Sequence, residues 1–381
     1  MYNTVNSHQL IPRQQTYNLN KKILTVHAED RDIRKWPFSN TFAIECPAVY
    51  TNVETIRLID ISLPSVTEVF NNDYQNTKLL FKLNPQNVAK DWYLALLNNA
   101  SYVYTITIQD GAYSGTQLAN EIQNKLNQAI NDYLKTTGLV FATSYLNFKV
   151  YYDSVSNSLH FGNIEDSFKF LFDTKVDYVL NQCEQPDVFE RASQWGLPWN
   201  LGFEKQEYTP VPLLESAGSN GIIFYYNSYG SSNYLWLPAG TSLPSYYLKA
   251  PLSVKNQGEN AIYMEIERFN YVDELKPYST RTTDSYQNDY GGRINSAFIK
   301  IPITANVPSY SFDSINLYLN NCGYYIPPID KVSKLKFRFR YHDGRLVNFK
   351  DTPFNFSLEI NQIRNEIEKN YSMRTPTIYN S

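Results

Sequence analysis

Apolar and polar residues alternate with a period of two through much of the chain, the pattern of strands with one buried and one wet face. Ile23-Leu24-Thr25-Val26 reads as the first strand, and Phe42, Ile44 and Cys46 alternate with Ala43 and Glu45 in a second. Ile56, Leu58 and Ile61 interleave with Arg57 and Asp60 in a third. Thr51-Asn52 separates the last two, and Pro64 closes the third because it has no N–H to give to a ladder. Tyr102–Ile108 is rich in β-branched and aromatic residues and reads as another strand. The period then changes. Ser114-Gly115-Thr116-Gln117 has capping-box spacing, and Leu118, Ile122, Leu126, Ala129, Ile130 and Tyr133 recur every three or four residues, which predicts an amphipathic helix over about 114–135. Phe148–Tyr152 and Ser158–Gly162 flank a polar loop, Asp153–Asn157, as a hairpin does. Phe168, Phe170, Leu171 and Phe172 form a short apolar knot. In Ala261–Arg268, Ile262, Met264 and Ile266 face away from Tyr263, Glu265 and Glu267. Leu335, Phe337, Phe339 and Tyr341 alternate strictly with Lys336, Arg338 and Arg340, and Phe354, Phe356, Leu358 and Ile360 supply a further strand.

Many short strands, one helix and no βαβ alternation predict a mainly β fold, an antiparallel jelly-roll-like β-sandwich with a single amphipathic helical insertion. Residues 1–21 and 364–381 are polar and without period, and read as a flexible N-terminal arm and a C-terminal tail. The strands near both ends each present an apolar face that needs a partner, which predicts one elaborated sandwich domain over 22–363. Two sandwiches in tandem, split within 175–220, are the alternative.

Composition sharpens this. The chain holds 32 Tyr, 21 Phe and 40 Asn against 15 Gly, a balance that favours strands joined by polar turns. Charged residues are 19% of the chain and the net charge is −3, which argues against a disordered solvating chain and against a basic nucleic-acid coat. Cys46, Cys183 and Cys322 lie far apart with no CxxC spacing, so a reducing compartment is expected. The first residues lack the basic and apolar regions of a secretory signal, and no run approaches the roughly 18 apolar residues of a membrane span. Synthesis in cytosol is therefore the expectation.

One set of segments points to a family. Ile23–Val26, Asp30-Arg31-Asp32 and Pro37–Phe42, followed by Asn52–Leu58 and Leu63-Pro64, resemble the opening of minor capsid and related virion proteins of large icosahedral double-stranded DNA viruses, the algal-virus and giant-virus group. Ile108–Ser114 running into the helix, Leu201-Gly202-Phe203, and the ending Leu335–Phe339, Asp343–Phe349 and Phe354–Ile360 agree in order and spacing. The resemblance implies a non-enzymatic structural protein of a viral capsid, a minor capsid protein cementing major capsid capsomers. Its implied partners are the major capsid protein and other minor capsid proteins, and its implied location is the virion after synthesis in host cytoplasm. Polar arms that order on a neighbour and rigid aromatic contact area suit such a role. The residues expected at interfaces are Trp195, Trp199, Tyr225, Tyr226, Trp236, Lys336, Arg338 and Arg340. A carbohydrate- or receptor-binding fibre or vertex protein is the alternative, with Trp195, Trp199 and Trp236 as an exposed stacking platform.

Residues with chemical potential read more simply as structure. His8, His27, His160 and His342 are too far apart in sequence for a metal-ligand spacing, and neither a metal nor a cofactor is expected. His27, Glu29, Asp30 and Asp32 sit among Arg31, Arg34 and Lys35, as in a self-neutralising loop. Glu265 and Glu267 share a strand face and could form a glycosidase pair, but a solvent-facing stripe has the same pattern. No Gly-x-Ser-x-Gly and no phosphate loop occurs, so no catalytic residue is assigned. Lys334, Lys336, Arg338 and Arg340 form a basic row that could meet phosphates or a membrane surface; an edge strand guarded by charge explains it better. No specific nucleic acid is expected, and membrane contact is possible but not indicated.

Overall fold

A computed structural model describes residues 19–64, 68–179, 187–191, 193–215, 220–224, 234–275, 294–303, 309–313 and 323–363. Among these residues the strands in chain order are β1 (Leu19–His27), β2 (Thr41–Pro64), β3 (Lys78–Asn84), β4 (Tyr104–Thr107), β5 (Phe148–Asp153), β6 (Ser158–Asn163) and β7 (Ser167–Leu171). There follow β8 (Glu207–Tyr208), β9 (Val211–Leu213), β10 (Gly221–Phe224), β11 (Tyr234–Pro238), β12 (Ser245–Lys249) and β13 (Ala261–Ile266). The last are β14 (Val272–Leu275), β15 (Ile294–Ala297), β16 (Ile299–Pro302), β17 (Ser309–Asp313), β18 (Gly323–Arg340) and β19 (Asn355–Ile363). Three helices accompany them: α1 (Tyr93–Leu97), α2 (Gly115–Thr136) and α3 (Leu197–Asn200). The fold is mainly β and antiparallel, as the alternation predicts. Two compact units divide it: an outer one from Met1–Val66, Asn260–Lys276 and Arg293–Ser381, and an inserted one from Thr67–Glu259 and Pro277–Gly292.

The outer unit is built on a seven-stranded sheet in the order β1-β19-β2-β18-β13-β16, with β17 also paired to β2, and carries β14-β15 as a separate two-stranded sheet. Its two longest strands make it a sandwich. Phe337 of β18 pairs with Phe42 and Phe356 of β19 pairs with Ile61, at opposite ends of β2, yet the two rings lie 4.9 Å apart. The sheet therefore turns over on itself, and Phe42, Phe337 and Phe339 from one half meet Phe354 and Phe356 from the other. β2 was expected as two strands broken at Thr51-Asn52. It is continuous, and the break is its corner: Asn52 sits at φ 51°, and the ladder to β18 shifts register between Val332 and Lys334 and again between Tyr324 and Ile329. Asparagine tolerates this left-handed backbone better than other side chains do, and bulges add the bend.

The inserted unit packs two four-stranded sheets, β4-β3-β7-β8 and β5-β6-β12-β9. Phe148 and Phe161 of the second sheet reach Phe81, Phe168 and Phe170 of the first, with ring centroids 5.2–5.5 Å apart. The expected hairpin is β5-β6, each strand one residue longer than the alternation shows, β5 at the turn and β6 at its far end. The expected helix is α2: the Ser114 hydroxyl accepts from the Gln117 N–H while the Gln117 amide accepts from the Ser114 N–H. Leu118, Ile122, Leu126, Ile130 and Leu134 bury its apolar stripe. Beside that stripe runs a second row. Gln123 accepts from the Val150 N–H, Asn127 both donates to and accepts from the Phe148 backbone, and Asn131 does the same at Tyr145. Amides one helical turn apart thus stand in for a neighbouring strand along the chain leading into β5.

Leu201-Gly202-Phe203 owes its glycine to geometry. Gly202 has φ +89°, and an added Cβ would lie 2.2 Å from the Leu252 carbonyl oxygen. Both a left-handed backbone and the close approach of the loop after β12 demand the missing side chain there.

Candidate interaction surface

The basic row on β18 lies in the outer unit, and its setting differs from expectation. β18 is not an edge strand: β2 flanks it on one side and β13 on the other. The row faces the acidic row of β13, so that Lys336 pairs with Glu267 at 3.2 Å and Arg338 with Glu265 at 4.0 Å. Arg340 pairs with Glu265 and, at 2.9 Å, with Glu274 of β14, whose other oxygen meets His342. Glu265 and Glu267 are therefore ion-pair partners of cations, not a free carboxylate pair. The outermost pairs are exposed and each contributes about 0–1 kcal/mol. Arg340 is different, because it is buried, with its guanidinium 5.2 Å from the centre of the Tyr263 ring. Of the row, Lys336 and Arg338 reach the surface, and Lys336 also lies 5.8 Å from the Trp36 ring.

At the far end of β18 the strand throws out a bulge. Tyr324 pairs with Thr55 and Ile329 with Val53, so residues 325–328 stand opposite Glu54 alone. Tyr325 turns inward, donating to the Phe269 carbonyl at 3.0 Å, while Tyr324 and Ile326 point to solvent, Ile326 at 92% exposure. An apolar knob held by a paired strand on each side is a rigid contact surface.

The inserted unit carries the tryptophans. Trp195 is 5% and Trp236 8% exposed, and Trp199 is half-buried under the Lys255 ammonium, 4.5 Å from its ring. Tyr225 and Tyr226 lie outside the described residues. Trp236 belongs to the β10-β11 hairpin, where it and Phe224 close over Tyr151, His160 and Tyr247. Large apolar side chains do reach the surface elsewhere, in the loop after α2: Leu139, Leu146 and Val140, the last 99% exposed. That loop is held to the segment before α1 by the Ala142 N–H on the Asp91 carboxylate and by contact of the Tyr145 and Trp92 rings.

A polar chain not anticipated from the sequence runs beneath the β10-β11 hairpin. Asp153 accepts from the Ser156 hydroxyl at 2.5 Å, Ser156 and Ser158 share a hydrogen bond of 2.6 Å, and Ser158 lies 3.4 Å from His160 Nε2. His160 Nδ1 meets the Tyr247 hydroxyl at 2.8 Å. Ser158 and His160 share a face because they are two apart on β6, and that spacing is the signal in the sequence. Both are buried, and burial pushes the imidazole down to about 4, the Lys249 ammonium adding to the effect and Asp153 opposing it. A neutral imidazole sealed under aromatic rings offers no path to a substrate, so the chain is structural. Deeper in the same unit, Asp166 accepts from the Tyr145 hydroxyl at 2.9 Å and from the Gln86 N–H at 2.9 Å, and burial pushes its carboxyl up.

No curated protein matches the sequence. Among solved structures, the mavirus penton protein overlaps 91% of this chain and 100% of its own, at 9% identity and a TM-score of 0.42. A Sputnik virophage structure overlaps 92% of this chain and 99% of its own, at 9% identity and a TM-score of 0.39. Likenesses of that strength carry neither a fold nor a function across. The family profile is firmer, matching residues 10–214, more than half of the chain, and so the protein belongs to a family of unknown function (DUF5901).

Proposed function

We propose that the chain is a non-enzymatic structural protein of a viral capsid, with other capsid proteins as its partners. The finer form of the proposal is a minor capsid protein that cements capsomers of a major capsid protein. The observation that carries it is the distribution of surface groups within each unit. Charged side chains on the β13-β18 face neutralise each other, whereas large apolar side chains stand out on anchored elements: Tyr324 and Ile326 in the outer unit, Leu139, Val140 and Leu146 in the inserted one. Such a surface supports apolar, shape-based contact with another protein rather than electrostatic capture. The sequence resemblance names the kind of partner. A sugar-stacking platform would need exposed tryptophans, and Trp195 and Trp236 are buried.

Quantitative mass spectrometry of purified, salt-washed particles, calibrated against the major capsid protein, tests the assignment. A fixed ratio that survives washing is expected, together with loss of incorporation for Ile326→Asp or Val140→Asp in chains that still fold. Absence from particles, or copies lost on washing, overturns it.

A further inference from the structure

Within the inserted unit, β10 and β11 form a two-stranded sheet of their own, lying on the face of β5, β6 and β12 opposite the one that carries Phe148 and Phe161. Among the described residues their strands share no ladder with that sheet, and side chains seat them. Phe224 stacks on Tyr151 with ring centroids 4.1 Å apart, and Trp236 and Leu237 sit over Gly162, where an added Cβ would lie 2.9 Å from Leu237. Backbone ties lie at one end: the Ser245 hydroxyl donates to the Pro238 carbonyl at 2.6 Å, and the Gly240 N–H to the Leu213 carbonyl at 3.2 Å. At the centre of the seat is His160, its ring 5.0 Å from Phe224, 5.9 Å from Tyr247 and 6.3 Å from Trp236. The groups around it suit a neutral imidazole. Tyr247 and Ser158 are its hydrogen-bond partners, and Tyr151 flanks it, with Tyr234 of β11 beyond, 6.1 Å from Tyr151. Lys249 stands directly across from it on β12, and β10 brings the apolar Ile222 and Phe224. Asp153, the carboxylate that acts on it, is reached through the Ser156 and Ser158 hydroxyls. An imidazolium under these rings would lose its water without gaining a counter-ion in contact.

We propose that the β10-β11 hairpin is an acid-released lid: a proton taken up by His160 unseats it, and its lifting uncovers an aromatic surface made by Tyr151, Phe224, Trp236 and Tyr247. With the lid shut, burial holds the imidazole at about 4; lifted into water, it returns toward its ordinary 6.5. Opening therefore takes up about one proton between pH 6 and 5, and is about 25-fold more favourable at pH 5 than at pH 7.5. The lid does not depend on a capsid role, and its test reads the isolated full-length chain.

Hydrogen exchange at pH 7.5 and pH 5, corrected for intrinsic rates, follows the opening. Amides of Ile222–Phe224 and Leu235–Leu237 should lose at least tenfold in protection at pH 5, with little response to low urea. Leu79–Phe81, in the core of the same unit, should stay better protected than the hairpin at both pH values. His160→Gln should keep the hairpin's protection at pH 7.5 and lose its pH dependence. The native chain supplies a readout that needs no variant, since opening between pH 6 and 5 should gain about one proton per event. A loss under tenfold, a gain below about half a proton, hairpin and core amides exchanging as one, or an equal loss in His160→Gln each overturns the proposal.

Discussion

The charge state of His160 couples stability to pH. Its imidazole is held neutral under Phe224 and Trp236 with its pKa pushed down to about 4, while in the unfolded chain it titrates near its ordinary 6.5. The folded state therefore keeps the full benefit above pH 6.5 and loses it progressively as the pH falls toward 4, because the unfolded chain takes up the proton first. Between pH 7.5 and 5 this amounts to about 2 kcal/mol. Denaturant unfolding at both pH values should show the native protein losing that much more stability than His160→Gln. Arg340 makes a sharper contrast with its neighbours on the same strand. Arg340→Ala removes the guanidinium from the buried Glu274 carboxylate and should cost about 3–5 kcal/mol, against under about 1 kcal/mol for Lys336→Ala at the exposed end of the row. Urea midpoints of the two variants measure the difference.

Among the elements, α2 was the most legible, because its capping box and apolar stripe are local signals that packing did not override. Its second row was not legible. Gln123, Asn127 and Asn131 look like solvent-facing amides until the chain entering β5 lies against them. Asn127→Ala should cost about 2–3 kcal/mol by thermal or urea unfolding, since it strands both backbone groups of Phe148, while the exposed Gln128→Ala should be nearly silent. The strands show the same division. Alternation located the Phe42, Phe337 and Phe356 faces correctly, yet a period of two carries no information about neighbours. Hence β18, read as an edge from its lysines and arginines, proved to be interior with its cations matched by β13. Asn52 was read as a turn that ends one strand and begins another, and the left-handed backbone is there, but it bends a strand that continues. The surface candidates divided similarly. Lys336 and Arg338 are accessible, whereas aromatic size misled at Trp195 and Trp236, which fill the interior of the inserted unit.

For the whole molecule, connectivity matters more than any contact. The inserted unit is drawn mostly from one stretch, Thr67–Glu259, whereas the outer unit joins β1 and β2 to β18 and β19 from the other end of the chain. Contacts so distant in sequence make the outer unit the slower folder. Four of the five tryptophans lie in the inserted unit and Trp36 alone in the outer one, so fluorescence can tell the two apart. Refolding should show a fast phase and one at least tenfold slower, and Trp36→Phe should remove the slow fluorescence phase while leaving the fast one. The same connectivity sets a waiting time during translation. Roughly 260 residues separate the end of β2 from the start of β18, which at about 5–20 residues per second is about 13 to 50 s. For nearly all of that interval, until β17 is made, the longest described strand waits outside the ribosome with both edges unmet. A cell making many copies at once must keep nascent β2 segments on neighbouring ribosomes from finding each other before β18 and β19 arrive.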